Sequence, residues 1–168
     1  PLVSTEAEIK IMKDLVIRVA KQVQDEKKVK INFLVGTMIE LPRAAIKAKD
    51  IAKHAEFFSF GTNDLTQTTF GFSRDDIGSF LPNYLDKNIL AKDPFQTIDI
   101  KGVGSLLKIA IEKGREANPE IKIGICGEHG GDAESVIFFD KINLDYVSCS
   151  PFRIPIAKLS AAKSILFS

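Results

Sequence analysis

INFLVGTMIE, residues 31–40, is the stretch of sequence that decides the fold class. It is apolar over nearly its whole length, has β-branched members and ends in a carboxylate, which is typical of a strand buried on both faces of a parallel sheet. Similar apolar runs follow at 57–62, 121–126 and 145–149, and helical patterns separate them. This alternation predicts an α/β fold whose parallel strands are joined by right-handed crossovers.

Two architectures fit this order: an open doubly wound sheet, or part of a (β/α)₈ barrel. A complete barrel needs roughly 200 residues or more, so a chain of 168 residues supplies about half of one. Residues 1–3 predict the end of a further strand, and the chain opens on Pro1 rather than Met, so we expect a longer polypeptide. Residues 65–102 are irregular and are expected to form an excursion within one partial domain, 1–168.

The first and last helices have apolar faces that are expected to point inward. Thr5 and Glu8 form a capping-box pattern that predicts a helix over 5–25. Its inward residues are predicted to be Ile9, Met12, Val16, Val19 and Val23. A final helix is predicted over 154–166, with Ile156, Leu159, Ala162 and Leu166 inward.

Charge and composition exclude several classes of function. The 23 Lys and Arg balance 22 Asp and Glu, so the formal charge of +1 indicates no nucleic-acid footprint and no polybasic membrane patch. No apolar run reaches membrane-spanning length, and Cys126 and Cys149 suit reduced thiols better than a secreted disulfide framework. We expect a soluble, cytoplasmic protein that binds a small ligand, and an organellar location fits the same composition.

Polar residues follow the predicted strands at the points where each strand ends, and loops from parallel strands converge at that edge. Glu40 and Asp64 offer hard oxygen ligands of the kind that Mg²⁺ prefers. The alternative is that each carboxylate only caps the helix that follows it.

Asn63 and Cys126 are the other candidate site residues. The amide of Asn63 can orient a carboxylate or phosphate, with backbone N–H groups of Gly61 and Thr62 beside it, but Asn63 also suits a plain turn. The Cys126 thiol can act as an acid or base, although a small buried hydrophobe is the usual role of such a cysteine. His129 is predicted to support the Cys126 turn.

Four segments of the chain carry a resemblance to a known family. GTMIELPRAA at 36–45, FFSFGTNDLTQTTFGFSRDD at 57–76, GICGEHGGD at 124–132 and YVSCSPFRIPIAKLSAA at 146–162 resemble the pyruvate, phosphate dikinase family of phosphoenolpyruvate-utilising enzymes. The similarity covers essentially the whole chain. It implies the C-terminal portion, about half, of a (β/α)₈ barrel that binds phosphoenolpyruvate or pyruvate.

The resemblance also implies roles for individual residues. Glu40 and Asp64 match the family's Mg²⁺ ligands, Asn63 matches a residue that contacts the substrate, and Cys126 matches the acid/base at the substrate C3 atom. The implied reaction is Mg²⁺-dependent phosphoryl transfer between a phosphohistidine and pyruvate enolate. In full-length members, ATP, phosphate and pyruvate give AMP, diphosphate and phosphoenolpyruvate.

The family's other parts have no match in this sequence. Its phosphohistidine domain, its nucleotide-binding domain and the arginines of its earlier barrel strands are the implied partners, and the resemblance further implies a homodimer. We therefore expect no dikinase turnover from this chain alone. The alternative from another class is a non-catalytic α/β module that binds or oligomerises and keeps the motifs only for packing.

Overall fold

The sheet of the protein decides between the two architectures. The structure, a computed structural model, describes residues 1–166 and contains one four-stranded parallel sheet in the order β1-β2-β3-β4. A doubly wound sheet reverses its strand order part-way, whereas a barrel wall adds each strand beside the last. The fold is therefore α/β and forms part of a (β/α)₈ barrel. The strands are β1 (Thr37–Ile39), β2 (Phe57–Gly61), β3 (Lys122–Cys126) and β4 (Tyr146–Val147).

Helices precede, connect and follow the strands, as a barrel requires. The α-helices are α1 (Glu6–Lys27), α2 (Pro42–Ile46), α3 (Ala48–Ala52), α4 (Thr62–Phe70), α5 (Leu81–Asp86), α6 (Val103–Ala117), α7 (Ala133–Lys141) and α8 (Ile154–Leu166). Short 3₁₀ turns lie at Ile77–Ser79, Glu128–Gly131 and Pro151–Arg153. No helix within residues 1–166 is long and apolar enough to cross a lipid bilayer.

The core lies between the helices and one face of the sheet. Because side chains alternate along a strand, every second residue of the central strands points to the helices. Phe58 and Ile123 are both fully buried there, and both approach Gly114 of α6, where a side chain would collide with the Phe58 ring. The opposite face carries Met38 and Ser59, is only half-covered, and forms the concave side of the partial barrel.

The strands are shorter than the sequence predicts, because pairing rather than apolar content sets their length. The predicted strand 31–40 is regular only over Thr37–Ile39, since β2 is its single partner within the described chain. The stretch 57–62 ends as a strand at Gly61, and 145–149 is paired only at Tyr146–Val147. The run 121–126 begins its strand one residue later, at Lys122.

Residues 1–3 are not a strand, and the excursion is partly helical. Leu2 has a φ of 55°, outside the strand region, so the predicted strand end there is wrong. Within 65–102, residues up to Phe70 complete α4, which ends because Gly71 adopts the left-handed conformation at a φ of 68°. Helix α5 lies further along the same segment.

Helices α1 and α8 form where predicted, but their apolar faces are mostly uncovered. The capping box at Thr5 and Glu8 is confirmed, and Ile9 is buried. The other predicted inward residues of α1 are 42–47% exposed: Met12, Val16, Val19 and Val23. On α8 the predicted face is wrong, because Leu159 is 72% exposed while Ser160 is buried.

Candidate active site

The ends of the first three strands meet at one edge of the sheet. The register pairs Ile39 with the residue before Gly61, and Gly61 with Cys126, so Glu40, Gly61 and Cys126 lie side by side. Strand alternation places these three on the same face as Met38, which is the concave face. The sequence therefore brings a carboxylate, a backbone turn and a thiol to one rim.

Glu40 is a buried carboxylate with few partners. It is 1% exposed, and its Oε1 atom accepts a hydrogen bond of 2.5 Å from the Leu2 N–H. A Cβ atom placed on Gly61 would lie 2.4 Å from Glu40 Oε2, so the second oxygen lies against the β2 backbone. No cationic side chain pairs with Glu40 in the part of the chain that the structure describes. Buried carboxylates are normally neutralised by a cation.

The N-terminus of α4 follows Gly61 directly. Gly61 is its N-cap and supplies no side-chain cap, so the first backbone N–H groups of the helix remain available to an anion. Asn63 and Asp64 lie in this first turn and are half-buried. The Asn63 Oδ1 atom is buried and has no hydrogen-bond partner among residues 1–166. A buried, unpaired amide oxygen is the kind of atom that a bound ligand, cation or water completes.

The Cys126 thiol is half-buried at the end of β3. Its Sγ atom lies 3.7 Å from the Phe60 carbonyl oxygen, to which the thiol donates a weak hydrogen bond. A cavity of about 470 Å³ opens beside it, lined in part by Ser148, Cys149 and Arg153. Neither Glu40 nor Asp64 lines this cavity. Cys126 thus belongs both to the row of strand ends and to a cavity that reaches the 3₁₀ turn before α8.

The turn after Cys126 contacts the start of α4. Gly127 has a φ of 118°, a conformation open to glycine, and a Cβ atom there would lie 3.3 Å from Thr62 Oγ1 and 3.5 Å from Asn63 Oδ1. His129 is fully buried, and its Nδ1 lies 2.7 Å from Thr62 Oγ1. The predicted support of this turn by His129 is confirmed by that contact.

The comparisons with known proteins fit this geometry. Residues 1–165 match the family model described as the PEP-binding domain of PEP-utilising enzymes. The chain belongs to this family.

The relatives share more than half of its residues. "Pyruvate, phosphate dikinase 1, chloroplastic" of Arabidopsis thaliana is 61% identical over 166 residues, which is 99% of this chain and 17% of the relative. "Pyruvate, phosphate dikinase" of Clostridium symbiosum is 57% identical over 166 residues, 99% of this chain and 19% of the relative. The chain thus spans less than a fifth of the length of these curated relatives.

Glu40 and Asp64 are the two predicted metal ligands at the rim of this PEP-utilising enzyme domain. Glu40 and Asp64 supply carboxylate oxygens from neighbouring strand ends, and no hydrogen bond or ion pair of residues 1–166 joins or neutralises the two. The described residues contain no cluster of three or more His, Cys, Asp or Glu that could hold a metal alone. Mg²⁺ usually takes one or two carboxylates and fills its remaining positions with water and substrate oxygens.

Tyr146 and Arg153 are two residues of the rim region that the sequence did not single out. The Tyr146 ring covers Gly124, its partner across the ladder, and its hydroxyl donates to the Phe58 carbonyl oxygen at 3.1 Å. Burial raises the pKa of Tyr146, so it stays a protonated donor on the concave face. Tyr146 could have been identified from the sequence, because an aromatic residue at the start of β4 lies opposite a glycine, Gly124, in β3. Arg153 has no comparable sequence signal.

Proposed function

We propose that this domain binds phosphoenolpyruvate and pyruvate at the carboxyl rim of the sheet and carries the pyruvate half-reaction of a pyruvate, phosphate dikinase. The reaction is phosphoryl transfer between a phosphohistidine and pyruvate enolate. In the complete enzyme it would contribute to the conversion of ATP, phosphate and pyruvate into AMP, diphosphate and phosphoenolpyruvate. The observation that carries the proposal is the register that sets Glu40, Gly61 and Cys126 side by side on the concave face.

The substrate would lie across that row. Its carboxylate is an anion, and the uncapped backbone N–H groups at Thr62 and Asn63 suit it through both hydrogen bonding and the helix dipole. The Asn63 amide lies at the same place: its NH₂ group can donate to the carboxylate, while its unpaired Oδ1 atom can accept from a donor or contact a cation. With the carboxylate end at α4, the methyl or methylene carbon would extend toward the β3 end of the row, where Cys126 lies.

Cys126 is the proposed acid/base at that carbon. Toward phosphoenolpyruvate, its thiolate would take a methyl proton from pyruvate, and the enolate oxygen would then accept the phosphoryl group. In the reverse direction the thiol would return the proton to C3 as the phosphoryl group leaves. One residue therefore serves both directions, and its contact with the Phe60 carbonyl gives the proton an acceptor in the resting state.

Glu40 and Asp64 are the proposed Mg²⁺ ligands. Bound Mg²⁺ would supply positive charge that stabilises the negative oxygens of the substrate. Without it, Glu40 remains a buried carboxylate held by one backbone N–H, which disfavours the approach of an anionic substrate. The absence of a side chain on Gly61 leaves room for the Glu40 carboxylate, since a Cβ atom there would lie 2.4 Å from Oε2.

The remaining partners belong to the complete dikinase and are proposed on the similarity alone. They are a phosphohistidine domain that delivers the phosphoryl group, a nucleotide-binding domain that loads it, and a second copy in a homodimer. We further propose a cytoplasmic or organellar location, which agrees with the word "chloroplastic" in the names of the plant relatives.

Hydrogen exchange at the pyruvate methyl group tests the proposal in the full-length protein. Wild-type enzyme with Mg²⁺ should exchange the methyl protons with deuterated solvent, followed by NMR. Cys126→Ala should abolish exchange while Mg²⁺-dependent pyruvate binding, followed by calorimetry, persists. Cys149→Ala is the matched control, a second thiol of the same cavity, and should exchange at nearly the wild-type rate.

Undiminished exchange in Cys126→Ala would refute the acid/base role. Proton transfer would then belong to another group of the enzyme. Absence of exchange in the wild-type protein would instead favour the non-catalytic module.

A further inference from the structure

His129 makes two hydrogen bonds whose directions can be assigned. Its Nε2 lies 2.8 Å from the Pro94 carbonyl oxygen, which can only accept, so Nε2 carries the proton. In the neutral ring Nδ1 is then the acceptor, and it takes the hydroxyl proton of Thr62 at 2.7 Å. Burial lowers the pKa of His129, which keeps the ring neutral and this tautomer in place at neutral pH.

The two partners lie on opposite sides of the Cys126 turn. Thr62 is fully buried and is the first residue of α4, the helix whose N-terminus faces the proposed substrate carboxylate. Pro94 belongs to the excursion that follows α4. His129 itself lies three residues after Cys126, in the 3₁₀ turn Glu128–Gly131. The imidazole thus joins the turn that carries the thiol to the turn that would hold the substrate.

We propose that His129 is a positioning residue, which acts through Thr62 to hold the N-terminus of α4 in register with the Cys126 thiol. The inference rests on the proposed function, since it concerns the distance between the acid/base and the substrate it serves. His129 is none of the proposed metal, substrate or proton-transfer residues, yet it would affect the proton-transfer step.

Two ion pairs also attach the excursion to the region of this turn. The effect of the hydrogen bond to Thr62 can therefore be distinguished from general support of the excursion. Arg74 pairs with Glu128 at 3.1 Å, and Lys92 pairs with Glu134 just beyond the turn. Both ion pairs are substantially exposed, and neither involves α4. The hydrogen bond to Thr62 is buried and reaches the first residue of that helix, so its loss alters the α4 end of the rim while the excursion stays attached.

Two amide substitutions remove the two hydrogen bonds of His129 one at a time. The amide of asparagine reaches the position of Nδ1, so His129→Asn keeps an acceptor for Thr62 and loses the Pro94 bond. The longer glutamine reaches the position of Nε2, so His129→Gln keeps the Pro94 bond and loses the acceptor for Thr62. Each variant leaves one buried partner unsatisfied, so a purely structural role predicts similar losses from both.

The experiment measures methyl-proton exchange of Mg²⁺-saturated pyruvate in the full-length dikinase, with kcat and KM for pyruvate determined separately. His129→Gln should lower kcat for exchange on the order of tenfold to a hundredfold, because misplacement by about 1 Å has an effect of that size. His129→Asn should recover most of that loss. Glu134→Gln, which breaks an exposed ion pair beside the same turn, is the matched control and should exchange at the wild-type rate.

Thr62→Val provides the test if His129→Gln does not fold, since valine keeps the shape of threonine and deletes only the hydroxyl donor. It should lower kcat for exchange to a similar extent. Equal losses in the Asn and Gln variants, or a Thr62→Val enzyme within twofold of wild-type kcat, would overturn the positioning role. If the wild-type enzyme itself exchanges no methyl protons, the proposed function fails first, and the two failures are therefore distinguishable.

Discussion

Substitution of Gly61 by alanine tests the contact on which the proposed metal site depends. Gly61 has a φ of −85°, which suits any residue, so the change adds a collision without backbone strain. The new Cβ would lie 2.4 Å from Glu40 Oε2 and 2.7 Å from Glu40 Cβ, whereas ordinary contact begins at 3.4 Å. The carboxylate or the strand must therefore move by about 1 Å.

The expected magnitude follows from that displacement. Overpacking of a buried site costs about 1–3 kcal/mol, and a shift of about 1 Å in a reacting group lowers a rate by up to about 10²-fold. We expect Gly61→Ala in the full-length enzyme to raise the Mg²⁺ concentration needed for half-maximal activity and to lower the rate at saturating Mg²⁺ by about tenfold or more.

A steady-state Mg²⁺ titration of phosphoenolpyruvate formation measures both quantities. Gly78→Ala is the control, because a Cβ atom at Gly78 would meet no atom within 4 Å. If Gly61→Ala and Gly78→Ala both give the wild-type Mg²⁺ curve and rate, then Glu40 does not serve the metal from the position described here.

Three further predictions concern the scaffold, and hydrogen–deuterium exchange within the full-length protein measures each one. Burial holds the pKa of His129 below its ordinary value of 6.5, so below that pH the unfolded chain binds a proton more readily than the folded chain. Local stability should therefore be full above about pH 6.5 and fall as the pH drops below it. His129→Gln should remove this part of the pH dependence. Phe58→Ala should destabilise the packing of α6 on β2 by about 3–5 kcal/mol, seen as faster exchange in both elements and contradicted by unchanged protection of α6. Thr5→Ala removes the α1 cap and should cost about 1 kcal/mol, or roughly fivefold faster exchange in the first turn, with exchange in the C-terminal half of α1 as the internal reference.

The sequence predicts the strand ends well because each apolar run stops at a polar residue that the fold also uses as a boundary. Cys126 ends β3 as predicted, Gly61 ends β2 one residue before the predicted end, and Glu40 follows β1 directly. Parallel strands with helical connections then require these ends to share one edge. The position of the candidate site therefore follows from sequence pattern and topology alone.

Strand starts and helix faces were harder to predict, because they depend on neighbours distant in sequence. Apolar content over 31–36 predicts a strand, but pairing needs a partner, and β2 meets β1 only from Thr37 onward. The α8 pattern gave the wrong face because apolar residues occur all around that helix, and periodicity cannot then choose a side. The start of α4 was missed because its first turn, Thr62–Asn63–Asp64, has turn-forming residues that also suit a loop.

The ties between the excursion and the Cys126 turn have a consequence for how the protein tolerates change in length. A loop normally absorbs insertions, since only its ends are fixed. Here Pro94 accepts from a buried imidazole and Lys92 pairs with Glu134, so the middle of the excursion is fixed as well. Adding or removing residues between Arg74 and Lys92 leaves these ties and the Arg74–Glu128 pair intact, whereas deletion of Asp93, between Lys92 and Pro94, would pull on the turn that carries the thiol.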